Sequence, residues 1–133
     1  MITLENYQRL TNRAIPDHDN KKDAILHWCI GLSEEVGETM NVIKHHFYGG
    51  EPLDKEALVK ETGDVLWYLT ALCREAGINI DAVAELNMAK LMHRYPDKEF
   101  DENRSIHRHE LEEKFSDTAL YKTLMEKALE GLS

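Results

Sequence analysis

Apolar residues recur every three or four positions through most of this chain, the period of helices that bury one side. The clearest case is Ile25, Cys29, Leu32, Val36, Met40, Ile43 and Phe47. That line predicts a helix over about 22–47 with those residues as its buried stripe. Trp28, Ile30 and Val42 add apolar surface elsewhere on the same helix. Gly31 and Gly37 stand inside it, each costing about 1 kcal/mol against alanine, so close approach of a neighbouring helix or a ligand is expected there.

The same reasoning places the other elements. Thr3 caps a first helix running to about Ala14, with Leu4, Tyr7 and Leu10 or Thr11 inward. Residues 16–20 read as a loop and 48–52 as a turn. Asp54 caps a helix over about 55–76, and its stretch VLWYLTALC (65–73) carries no charge. A helix so apolar on all sides is buried in a bundle or a subunit interface. Gly77 ends it, Asn79 or Asp81 starts the next, and Pro96 stops that one after Arg94. Residues 97–104 read as loop. The remainder holds one or two amphipathic helices carrying Leu111, Phe115, Leu120, Leu124, Leu129 and Leu132, parted at Ser116–Asp117. No strand pattern interrupts this order. The expected fold is all-α: a bundle of about four core helices in 1–104 and a C-terminal helical extension in 105–133.

Charge changes the picture next. The chain has 133 residues and a net charge of −9, with acids spread along it. Nucleic-acid polymers, which need a basic surface, are disfavoured as partners. An anionic small substrate would be repelled too, unless cations bridged it. The two cysteines, Cys29 and Cys73, each lie in an apolar helical pattern and read as buried free thiols of a reducing compartment. Neither a leader-like N-terminus nor a membrane-spanning run is found, so a cytoplasmic protein without a membrane partner is expected.

Five acids carry the candidate chemistry. Glu34, Glu35 and Glu38 lie in the first long helix, Glu61 and Asp64 in the next, just before its uncharged stretch. A solvated acidic face is the ordinary reading of one such pair. Here two sets recur on apolar helices joined by a short turn, so antiparallel packing brings them together. Facing carboxylates must take up protons or bind cations, and all-oxygen donors favour Mg²⁺ or Mn²⁺. A di-iron site needs Glu-x-x-His pairs, and none of the seven histidines stands three residues after a glutamate. Asn87, Lys90 and Arg94 share one helix face; they read either as phosphate contacts or as an ordinary wet face, and Lys44 is a weaker candidate of the same kind. Trp28, Trp67 and Tyr68 can stack on a base or fill the core. His27 and His45 lie towards the Glu34/Glu38 side, as substrate contacts or as polar rim.

Four blocks in order, GLSEEVGE (31–38), IKHHFYGGEPLD (43–54), ETGDVLWYL (61–69) and NMAKLMHRYP (87–96), resemble the MazG-like nucleoside triphosphate pyrophosphohydrolases. The likeness spans about Tyr7 to Phe100. It implies Mg²⁺-dependent hydrolysis of a (d)NTP to monophosphate and pyrophosphate. It further implies Glu35, Glu38, Glu61 and Asp64 as metal ligands, and Glu34 on a further ion or the attacking water. Lys90, with Asn87, Arg94 and Tyr95, would hold the phosphates. A homodimer or homotetramer is implied as well. A pyrimidine-specific dUTP or dCTP enzyme, and a non-catalytic helical module with a vestigial metal site, are the alternatives.

Overall fold

The computed structural model describes residues 1–13 and 15–131. Ala14, read above as the end of the first helix, and Leu132, read as part of the last apolar line, lie outside the described residues. Among those described, every regular element is a helix: α1 (Leu4–Leu10), α2 (Lys21–Gly49), α3 (Lys55–Glu75), α4 (Ile80–Arg94), α5 (Glu102–Ile106), α6 (Arg108–Ser116) and α7 (Ala119–Leu129). The fold is all-α, as expected. None of these helices is long and apolar enough to cross a membrane. The chain forms two compact units, Met1–Ala76 and Gly77–Ser133.

In the first unit α2 and α3 form a long helical hairpin, with α1 against α3. Local chemistry sets its ends. Asn20 accepts a hydrogen bond from the Asp23 amide at 3.0 Å and starts α2. Gly50, at φ 69°, stops it in a left-handed turn that a side chain would strain. Asp54 then accepts from the Ala57 amide at 2.9 Å and starts α3. The face of α2 turned to α3 is Ala24, Trp28 and Gly31, all buried. A Cβ built on Gly31 would stand 2.0 Å from Tyr68 Cε1, so only glycine admits the ring. Among the described residues nothing lies within 4 Å of such a Cβ on Gly37, and no neighbouring helix makes the close approach expected there.

That face corrects the expected stripe. Of its seven residues, Cys29, Val36, Met40 and Phe47 are exposed, and Leu26 and Ile30 beside them are exposed too. At about 100° per residue these six fall on the side of α2 opposite Ala24, Trp28 and Gly31. Periodicity located an apolar face correctly, but α3 covers the other one. On α3, Thr70, Ala71 and Cys73 are buried, whereas Leu69 is 37% exposed. Cys73 is thus the buried thiol and Cys29 is not. Helix α1 ends at Leu10, and Thr11 with Gln8, rather than Leu10, turns inward. Gln8 Nε2 donates to the Thr70 carbonyl at 3.5 Å.

In the second unit α6 and α7 pack on α4. Asn79 caps α4, and its own backbone amide donates to the Ala128 carbonyl of α7 at 2.9 Å. Ile80, Ala82, Phe115 and Ala128 form the buried centre. The Phe115 ring lies 5.4 Å from His93 and 5.5 Å from Tyr121, edge-on to the tyrosine. Within the stretch read as loop, Asp101 caps the short α5, accepting from the Arg104 amide at 2.7 Å. Thr118 caps α7, which divides the extension where Ser116–Asp117 predicted.

Candidate active site

The hairpin decides where the acids go. Continuing the buried face of α2 by one turn from Gly31 reaches Glu35, so this carboxylate sits on the side facing α3. There it meets Glu61 and Asp64, which α3 presents from consecutive turns. One carboxylate oxygen from each of the three lies within 4.8 Å of the others. Glu35 and Glu61 are half-buried and Asp64 is exposed, so the cluster opens to solvent. Glu34 and Glu38 flank it on the exposed part of α2 and are not among the three.

The electrostatics are those of an uncompensated site. Burial, and then the charges of Asp64, Glu34, Glu61 and Glu38, push the Glu35 carboxyl above its ordinary value. Among the described residues, none of the five acids is in an ion pair. Tyr7, reaching from α1, feels the same charge: burial first, then Asp64, pushes its phenol up. Its ring stands edge-on to Trp67 with centroids 6.2 Å apart. Tyr7 was expected only as an inward residue of the first helix; no spacing in the sequence ties it to Asp64.

The donor set fits a hard divalent cation. Oxygens bound at about 2.1 Å to an octahedral Mg²⁺ stand about 3–4 Å apart, close to the observed spread, so modest side-chain rotation brings the three onto one ion. Among the described residues no nitrogen or sulfur donor joins the cluster, and hard divalent cations take oxygen donors.

One turn before Gly31, rings fill the hairpin. His27 lies edge-on to Trp28 at 4.9 Å, and Trp28 is 5.9 Å from Tyr68. Trp28 is 2% exposed, so it is core and not a surface on which a base can stack. His18, from the loop before α2, stands 5.1 Å from His27. A cavity of about 560 Å³ opens at that end of the hairpin, lined by His18, Lys21, Arg74 and Glu75 among others. Ten residues of helix separate Asp64 from Arg74, about 15 Å, so the cavity is distinct from the acid cluster.

More than half of the chain, residues 25–98, matches the MazG nucleotide pyrophosphohydrolase domain. The chain belongs to the MazG family. No curated protein and no solved structure matches it. The MazG segment runs from the first turns of α2 to just beyond α4, and so takes in both acid-bearing helices and the Asn87–Tyr95 face. It leaves out α1 with Tyr7, and α5 to α7.

The positive candidates lie on two elements. Lys44 is exposed near the end of α2. The others are on α4, described within its own unit: Asn87 is exposed, Lys90 is 36% exposed and Arg94 is 12% exposed. Tyr95 follows as the C-cap, with the Arg94 guanidinium 5.9 Å over its ring. Arg94 and Lys90 are not free. Both reach the same oxygen of Glu112 on α6, Arg94 directly and Lys90 at 3.9 Å. Nothing in the sequence pointed to Glu112, one acid among several on a polar helix.

Proposed function

We propose that this MazG chain is a Mg²⁺-dependent nucleoside triphosphate pyrophosphohydrolase, cleaving a (d)NTP to the (d)NMP and pyrophosphate. The observation that carries this reading is the triad Glu35, Glu61 and Asp64, three carboxylates within 4.8 Å of one another in a MazG domain. Together with Glu38 these residues would hold the ion. An ion held there would supply positive charge against the triphosphate and a polarised water. Glu34, exposed beside Glu35, orients that water or holds a further ion. Lys90, with Asn87, Arg94, Tyr95 and Lys44, binds the phosphate oxygens, Arg94 by its paired donors and Lys90 as a point charge. A net charge of −9 makes such local cations necessary, because an unassisted triphosphate would be repelled.

The working form is a homodimer or homotetramer in the cytoplasm. The uncovered apolar side of α2, from Leu26 to Phe47, supports a further subunit, because a contiguous patch of that kind marks an interaction surface. Residues 105–133 form an extension to a catalytic core over 1–104.

The test is a panel of the eight common NTPs and dNTPs with Mg²⁺, reading products by chromatography. Monophosphate with pyrophosphate is expected. Monophosphate with two orthophosphates, or no turnover of any nucleotide, rejects the reading. Turnover of dUTP or dCTP alone narrows it to a pyrimidine enzyme.

A further inference from the structure

We propose that Glu112 is an internal phosphate mimic, a carboxylate that the C-terminal extension places on the cations meant for substrate and that substrate must displace. This rests on the reading of Lys90 and Arg94 as phosphate contacts.

The geometry is contained in the second unit. Lys90 and Arg94 are one turn apart on α4 and point to one side. Glu112 Oε1 bonds Arg94 Nη2 and lies 3.9 Å from Lys90 Nζ. One carboxylate thus engages both cations. It does so incompletely, because Arg94 Nε is buried and has no hydrogen-bond partner among the described residues. A guanidinium offers a fork that two oxygens can fill, and a phosphoryl group carries three. A phosphate would satisfy the donor that Glu112 leaves unpaired.

The mimic is also placed to leave. Glu112 is 37% exposed, whereas Arg94 is 12% exposed. The backbone that carries Arg94 has a tie of its own, because Arg104 Nη1 donates to the Arg94 main-chain carbonyl at 3.0 Å. Displacing Glu112 therefore removes the clasp and leaves the backbone tie at the end of α4 in place. Glu112 lies outside the MazG segment 25–98, so the clasp belongs to the extension and not to the matched family core. A segment that must open before ligand binds lowers apparent affinity by the fraction of time it is open.

The test compares wild type, Glu112→Gln and Lys90→Ala in steady-state hydrolysis with Mg²⁺ at low salt. Glu112→Gln keeps the shape and removes the charge; KM should fall by about five- to tenfold with kcat within about twofold. Lys90→Ala should raise KM. If Lys90→Ala leaves KM unchanged, the phosphate reading fails and the clasp fails with it. If Lys90→Ala raises KM but Glu112→Gln does not lower it, only the clasp is overturned and Glu112 simply pins α6.

Hydrogen exchange on the wild-type protein gives an answer that does not depend on a variant folding. Magnesium tripolyphosphate, at concentrations shown by calorimetry to saturate, should speed exchange over 108–116. Unchanged or slowed exchange there overturns the clasp, and failure of tripolyphosphate to bind rejects the phosphate reading.

Discussion

Gly31 on α2 and Tyr68 on α3 share one space: a methyl on the glycine would stand 2.0 Å from the Tyr68 ring. The absent side chain lets the hairpin close, and the hairpin sets the separation of the acids one turn further on. Gly31→Ala should therefore destabilise the protein by about 1–3 kcal/mol, the usual cost of overpacking. Gly37→Ala meets nothing within 4 Å among the described residues and should gain up to about 1 kcal/mol from helix propensity. Urea denaturation of both variants checks the pair, and equal effects would refute the packing argument.

Activity and stability should move in opposite directions at the acid cluster. Glu61→Gln and Asp64→Asn should lower turnover by at least about 100-fold, a loss of about 2.7 kcal/mol of transition-state stabilisation. The same changes remove a like charge, so without Mg²⁺ each variant should melt higher than wild type, by about 2–4 °C for each kcal/mol gained in a domain of this size. Scanning calorimetry in EDTA beside an activity assay reads both. A variant with full turnover would remove the residue from the metal site.

The raised Glu35 carboxyl gives a pH dependence of definite sign. Its folded value lies above its ordinary 4.5. Over the interval between the two, the native state holds a proton that the unfolded chain has released. This contribution to stability is complete below 4.5 and is lost as pH rises through the folded value. In EDTA the melting temperature should fall over that interval, and Glu35→Gln should flatten the fall. Added Mg²⁺ should reverse it, because the ion binds the ionised form. A wild-type profile unaffected by either change would rule out charge crowding at Glu35.

The apolar side of α2 leads to a prediction about assembly. Val36 and Met40 are 46% and 58% exposed, one turn apart. Val36→Glu with Met40→Glu should shift the protein to a smaller species in sedimentation at micromolar concentration. If the double variant sediments as wild type does, this face is not the subunit contact.

Sequence patterns located most elements because caps and breakers are local. Asn20, Asp54, Asn79 and Thr118 each accept a backbone N–H three residues on, as such side chains do at helix starts. Helix α5 escaped notice because five residues show no apolar period. Orientation was less legible. The stripe from Cys29 to Phe47 is real, but periodicity cannot say which of two apolar faces a neighbour covers, and α3 took Ala24, Trp28 and Gly31. At the site, Glu35, Glu61 and Asp64 came together because a short turn forces the two helices side by side. Tyr7 beside Asp64 and Glu112 on Arg94 depend on tertiary placement that no local spacing encodes.

The amide of Asn79 and the carbonyl of Ala128 are 2.9 Å apart, and a Cβ on Gly131 would stand 2.9 Å from the Gly77 carbonyl oxygen. The second unit thus brings its start against the last described residue, with Gly131 beside Gly77. Its helices need not be written in their present order. A circular permutant joining 131 to 77, with new ends in the turn at 97–100, keeps every contact described between α4, α6 and α7, since closely placed termini are where such rearrangements are tolerated.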